Sequence, residues 1–221
     1  MKTVHVMSGG MDSTALLYQL LDEGAEVKCI SFNYGQRHSK ELSYASNTCN
    51  SLNVPFHVCD VSGVKELMKG SSQTDDSVPV PHGHYEEENM KKTVVPNRNM
   101  IMLSMATAYA ISSGYDSVSY AAHHGDHAVY PDCRVEFVEA MRMAIDLCDW
   151  NKVNIYAPYL DKRKEDIASI GDRLNVPWEK TWSCYEGEEL HCGKCGTCQE
   201  RIEAFEIAKV KDPTQYRNDN V

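Results

Sequence analysis

No apolar run in this chain approaches the roughly 20 residues that a membrane-spanning helix needs. The opening stretch, MKTVHVMSGG, also lacks the long apolar core of a secretory signal. The cytoplasm is the expected location, and no membrane partner is expected. A surplus of basic residues is missing too. The 22 Lys and Arg are outnumbered by 32 Asp and Glu, for a net charge of −10. That weighs against a nucleic-acid partner, because a duplex-binding surface must neutralise many phosphates; a local pocket for a small anion stays compatible with the charge. Internal repeats and low-complexity tracts are absent, which excludes repeat architectures.

What is present is ordinary in bulk: 221 residues, 42% hydrophobic and 24% charged, enough for one sizeable core or one domain with an appendage. The nine cysteines are not ordinary. Five (Cys29, Cys49, Cys59, Cys133, Cys148) are scattered, and four gather at Cys184, Cys192, Cys195 and Cys198. An odd total with one cluster favours a metal site over a disulfide framework.

Short β-rich runs alternate with helical patterns, the signature of a parallel sheet covered by helices. TVHVM, EVKCISFNYG, PFHVCDV, SVSYAA and VNIYAPY read as strands. DSTALLYQLLDEG, KELSYASNTCNSLN, PNRNMIMLSMATAYAISSG, PDCRVEFVEAMRMAIDLC, KRKEDIASIGDRL and CQERIEAFEIAKVK read as helices, the first stopped by Gly24. Residues 70–95 break this rhythm. They are polar, acidic and aperiodic, and two readings stand: a long loop or mobile lid, or a disordered surface insertion.

Between the first strand and the first helix lies VMSGGMDST. Backbone N–H groups at a Gly-rich turn entering a helix form a concave anion site, reinforced by the helix's positive end. Gly9 and Gly10 permit close approach, and Ser8 and Ser13 add hydroxyl donors. The G-x-x-x-x-G-K-[ST] nucleotide loop is not in the chain; the nearest approach, Gly187 to Lys194, has the wrong spacing. The loop instead resembles the PP-loop of the ATP pyrophosphatase superfamily, SGGxDS, which implies that ATP lies along Val6, Met7, Ser8, Gly9, Gly10, Met11, Asp12, Ser13 and Thr14. Asp12, an acid in a phosphate site, acts through Mg²⁺, orders the loop or caps the helix.

Cys184 to Cys198 follow C-x7-C-x2-C-x2-C. Four thiolates within fifteen residues suit tetrahedral, structural Zn²⁺; an iron–sulfur cluster is the competing occupant. His191 is expected to be a bystander.

Several stretches together resemble the 7-cyano-7-deazaguanine synthase family: SGGMDST, FNYGQRHSKEL, VPNRNMIMLSMA, YPDCRVEF and TWSCYEG…HCGKCGTCQERIEAF, spanning residues 8–205 in the family's order. One segment departs. The family reads D-[YF]-S-G-Y-P-D-C-R where this chain has DHAVYPDCR, with His127, Ala128 and Val129 differing. The resemblance implies a Rossmann-like PP-loop parallel sheet flanked by helices, residues 1–180, with a small four-cysteine zinc segment, 181–221, packed on the same domain. It further implies a homodimer that converts 7-carboxy-7-deazaguanine, ammonia and ATP to the nitrile.

Adenylation suits this chemistry. A carboxylate is a poor electrophile because its leaving group is oxide; with AMP on that oxygen, ammonia gives the amide, and a second activation gives the nitrile. Asp12, Ser13, Lys164 and Arg98 are expected to be catalytic, with Phe32 and Arg98 joining the loop at ATP. Arg37, Tyr130, Asp132 and Arg134 are the candidates for substrate, Asp132 at the guanine-like edge or as a helix cap, and Arg134 at the carboxylate. Phe32, Tyr34 and Tyr130 are candidates to stack on purine faces. His38 is a further cation in a matching stretch, and Cys133 reads as a nucleophile or a small buried thiol. The rival readings are an enzyme that stops at the amide, a tRNA-thiolating PP-loop ATPase, and a non-catalytic zinc-ribbon module.

Overall fold

A computed structural model describes residues 1–84 and 87–217, with 127 and 128 described through their backbone alone. The alternating pattern becomes β1 (Lys2–Val6), α1 (Met11–Asp22), β2 (Glu26–Asn33), α2 (Lys40–Ser51), β3 (Phe56–Asp60), α3 (Arg98–Ser113), β4 (Ser117–Ser119), α4 (Val135–Asp146), β5 (Asn154–Tyr156), α5 (Lys164–Arg173) and α6 (Gly196–Ala208). The sheet order is β3-β2-β1-β4-β5, and every pairing is parallel. Central β1 places Thr3 opposite Val27 on one side and Ser117 on the other. Strand order reverses between β1 and β4, so the crevice beyond their C-terminal ends is where such a sheet takes a ligand.

Both faces are covered, as a parallel sheet requires. Leu16, Leu17 and Leu20 of α1 pack with Ala45 and Cys49 of α2, Ile167 of α5 and Phe205 of α6. Leu103, Ala106 and Ala110 of α3 and Val138, Met141 and Ile145 of α4 cover Val4, Val118 and Ile155 on the other face. Gly24 ends α1 with φ +74, the left-handed stop expected of it.

One reading of the sequence is corrected and another is narrowed to an ordered long loop. The helix expected from PDCRVEF starts at Val135; residues 131–133 form a single 3-10 turn with Arg134 extended after it. The reason is Asp132. Its Oδ2 accepts the backbone N–H of Asn99 at 3.2 Å, capping α3 rather than its own helix. Residues 70–95 also fold more than their composition suggests. Ser71, Ser72, Gln73 and Thr74 are buried, residues 88–93 make a 3-10 helix, and Arg37 donates to the carbonyls of Ser72, Asp75 and Val78. The segment shows no period because its polar groups are satisfied by one another and by that guanidinium; residues 85 and 86 lie outside the described part.

The last segment is sewn to the sheet. Arg201 of α6 is fully buried and donates to the Trp178 carbonyl, to the Thr181 and Ser183 hydroxyls and to Asp212. Burial alone would raise the Asp212 carboxyl, but Arg201 more than offsets this and holds it below its ordinary value. No described helix is long and apolar enough to cross a membrane.

Candidate active site

The loop between β1 and α1 is built on a buried histidine. His5 Nε2 donates to the Ser13 carbonyl at 2.9 Å, so Nδ1 is the acceptor toward the Ser119 hydroxyl at 3.1 Å. Burial pushes His5 down to about 4, and it is neutral under the loop. Above it Ser8 Oγ and Ser13 Oγ are 2.9 Å apart, and Ser13 Oγ accepts from the Ser8 backbone N–H. Gly9 sits at φ +85, against α2; a Cβ there would lie 2.3 Å from the Glu41 carbonyl oxygen. The Gly9 carbonyl in turn accepts the Trp182 N–H at 2.9 Å, tying the loop to the cysteine-bearing segment.

A cavity of about 260 Å³ opens from this loop. Val6, Met7, Ser8, Gly10, Met11, Asp12 and Ser13 line it, and so do Phe32, Arg98, Tyr130 and Lys164. Gly9 and Thr14 stand behind the lining. Arg37 is engaged by its three carbonyls, Asp132 caps α3, and Arg134 is exposed at the start of α4; the structure does not bring these three to the cavity. His38 lies edge-on to Trp182, and burial lowers it from its ordinary value. Tyr34 and Cys133 line the cavity, and burial pushes the Cys133 thiol up, away from thiolate character.

On one wall Lys164, the first residue of α5, meets Asp12 Oδ2 at 2.7 Å, Glu200 Oε2 at 3.1 Å and His123 Nε2 at 3.2 Å. Its side chain is only 12% exposed. Burial by itself would lower Lys164, yet the carboxylates of Asp12, Glu200 and Asp126 outweigh it and hold the ammonium charged. Asp12 caps nothing: the N-cap of α1 is Gly10, and Asp12 Oδ1 has no hydrogen-bond partner among the described residues. Opposite, burial would lower Arg98, but Tyr34, Tyr130 and Asp132 more than compensate. Burial pushes the Tyr34 phenol up to about 12.

Glu41, Asp126 and Glu200 complete the acidic lining and were not singled out from the sequence. All three lie in stretches that resemble the family, Glu41 in FNYGQRHSKEL, Asp126 in DHAVYPDCR and Glu200 in HCGKCGTCQERIEAF, but none has a spacing that marks it as part of a site. Glu200 is hidden in the helix after the last cysteine, and Glu41 in an exposed-looking helical run.

The four clustered cysteines are each at most 1% exposed, and their sulfurs lie within 4.8 Å of one another. Backbone N–H groups of Lys194 and Cys195 donate to Cys192 Sγ, and that of Cys192 to Cys184 Sγ. Such donors stabilise thiolate ligands, so this set fits a closed four-sulfur metal site with no open position for chemistry. His191 is no part of it: its Nε2 accepts the Ser183 N–H, and its ring stacks 4.2 Å from Trp182.

Comparison with known proteins bears on this site. The family described as Queuosine biosynthesis protein QueC matches residues 2–209. A 7-cyano-7-deazaguanine synthase of Caldicellulosiruptor saccharolyticus is 55% identical over 98% of this chain and 96% of its own length. One from Methanoregula boonei is 53% identical, covering 98% and 99% respectively. Among solved structures, an NMN synthetase from Francisella tularensis aligns over 95% of this chain and 77% of its own, with TM-score 0.55 and 12% identity. A U34-tRNA thiolase from Methanococcus maripaludis aligns over 95% and 65%, with TM-score 0.51 and 14% identity. At those identities the last two speak for the fold alone.

Proposed function

The chain belongs to the queuosine biosynthesis protein QueC family of ATP-dependent 7-cyano-7-deazaguanine synthases, and from that premise we propose that it adenylates 7-carboxy-7-deazaguanine, aminates it with ammonia and dehydrates the amide to the nitrile. The observation that carries this reading is the cavity in which the Ser8–Ser13 loop faces Arg98, Lys164 and the rings of Phe32, Tyr34 and Tyr130.

The loop amides and the positive end of α1 receive the β- and γ-phosphates of ATP. The α-phosphorus is then presented to the substrate oxygen, and AMP is the activated leaving group. Attack at the γ-phosphorus commonly draws on a loop lysine, which this loop lacks. Lys164 and Arg98 supply fixed positive charge where the polyphosphate and the substrate carboxylate gather, a preorganised field that needs no rearrangement during reaction. Phe32 and Tyr130 flank the purine-like rings. Asp12, with Oδ1 unpartnered, is the residue that would hold Mg²⁺ beside the phosphates; a bound Mg²⁺ supplies charge neutralisation there. No nucleophilic side chain is needed, and Cys133 acts as a small buried thiol.

The four cysteines hold Zn²⁺ as a structural ion that fastens residues 181–217 against the loop through Trp182. A homodimer, free ammonia as nitrogen donor and a cytoplasmic setting belong to the same proposal.

The test is mass spectrometry of products from 7-carboxy-7-deazaguanine, ATP, Mg²⁺ and ammonium. The nitrile is expected. The amide as sole end product would replace this reading with that of an amide-forming enzyme, and no reaction of the deazapurine would overturn it.

A further inference from the structure

The nitrogen that enters as ammonium leaves as a nitrile without hydrogen, so all four of its protons must find an acceptor. Four carboxylates line the cavity: Asp12, Glu41, Asp126 and Glu200. Three are committed to the same cation. Asp12 and Glu200 pair with Lys164 directly, and Asp126 both stabilises the Lys164 ammonium and lies 3.5 Å from His123 Nε2. Glu41 is different. It forms no ion pair among the described residues, and its side chain takes one hydrogen bond, from Gln36 Nε2 to Oε1 at 3.2 Å. Its backbone places it against the phosphate loop, since the Glu41 carbonyl is what fixes position 9 as glycine.

Other candidates fall away on the same geometry. Among the described residues no histidine lines the cavity. Tyr34 and Tyr130 are phenols that burial raises and therefore keeps protonated, and burial does the same to Cys133. The groups that face Glu41 are Arg98 from α3 and Tyr34 just after β2, with Lys40 beside it on α2.

We propose that Glu41 is the catalytic base that accepts the protons of the ammonia-derived nitrogen in both halves of the reaction; this rests on the amide-and-nitrile reading above. In the first half Glu41 takes a proton from ammonium and relays it to water. The freed lone pair forms the C–N bond, the C–O bond to the nucleotide breaks with its electrons leaving on AMP, and the new nitrogen sheds its second proton by the same route. In the second half the amide oxygen attacks the α-phosphorus and pyrophosphate departs. Its C–O bond then breaks with the pair leaving on AMP, the N–H electrons become the added C–N bonds, and the last two protons pass through Glu41.

The environment is tuned for this. Burial pushes the Glu41 carboxyl up to about 7, with Arg98 and Gln36 restraining it from rising further. A base poised near the working pH contributes most to proton transfer. Helix α2 adds its positive end, which favours the ionised form needed to receive the proton.

Glu41→Gln keeps the shape and an oxygen for Gln36, so the variant tests chemistry rather than folding. Adenylate formation, followed by release of labelled pyrophosphate, and amide formation are measured separately across pH with ammonium chloride. The amide step is expected to slow about 100-fold at neutral pH, with adenylate accumulating. It should recover as alkaline pH supplies free ammonia, and Glu41→Asp should retain part of the neutral rate. A Gln variant with the wild-type pH profile overturns the proposal. So does a loss confined to KM for the deazapurine, which would make Glu41 a base-edge acceptor. A wild-type protein that forms no amide overturns this and the enclosing reading together.

Discussion

Two glycine-containing turns in this molecule, the SGGMDS loop before α1 and the CGKCG knuckle before α6, use one backbone device for opposite ends. Each turns N–H groups toward a side-chain acceptor at the start of a helix. In the knuckle the acceptor is a thiolate of the chain itself: Lys194 and Cys195 N–H point at Cys192 Sγ, and all four sulfurs are buried. In the loop the acceptors are neutral hydroxyls, Ser13 Oγ for the Ser8 N–H and Ser8 Oγ for the Gly10 N–H, and Ser8, Gly10 and Ser13 line an open cavity. What separates them is burial of the acceptor. A site that supplies its own sulfur acceptors closes; one whose acceptors are neutral and open leaves room for an anion to be brought in, as proposed for this loop.

The largest expected effect breaks the closed turn. Cys195→Ser should remove the metal and several kcal/mol of stability, a part of the ~10–16 kcal/mol that structural zinc supplies in small zinc peptides. Metal content and thermal unfolding would fall together. A folded, metal-free, active Cys195→Ser protein would refute a structural role.

The glycines sharpen the contrast. Alanine at Gly9 meets the Glu41 carbonyl at 2.3 Å and Ala45 N at 2.9 Å, at φ +85. Backbone strain and forced displacement of α2 together are expected to cost about 3 kcal/mol and to raise KM for ATP. Gly193 has a similar φ of +71, but its nearest neighbour would be 3.6 Å away. Gly193→Ala should show only the conformational term, about 1 kcal/mol. Urea unfolding of the two variants compares them directly; equal losses would mean that contact with α2 contributes nothing.

The smallest effect is titration beneath the loop. His5 has its folded pKa lowered to about 4 from the ordinary 6.5. A depressed value means that stability is complete above pH 6.5 and is lost as pH falls toward 4, at up to about 1.4 kcal/mol per pH unit. His5→Asn should flatten that part of the stability profile. An unchanged slope would locate the proton uptake elsewhere.

The strands, the helices, the glycine-containing turn into α1 and the cysteine set were legible in the sequence because each is a local pattern: a period, a turn entering a helix, a ligand spacing. The acidic part of the cavity wall was not. Glu200 reaches Lys164 from a helix 36 positions later, and Glu41 gains its place only through α2 pressing on Gly9. Asp132 looked like a cap for the helix that follows it and caps α3 instead, 33 positions back. Arg37, a cation in a matching motif, turned to three carbonyls of the 70–95 segment, whose folding no periodicity announced. Residues that act across the fold leave no spacing to read.

The open loop is read as a holder of ATP's terminal phosphates with reaction at the α-phosphorus, twice per product. Single-turnover reaction of the protein with 7-carboxy-7-deazaguanine, ammonium and α-labelled ATP addresses this at once, with nucleotide and amide followed in time. AMP and pyrophosphate should appear in two steps, with the amide rising between them and authentic amide passing to nitrile only when ATP is present. Exclusive ADP, or authentic amide that stays inert with ATP, would contradict it.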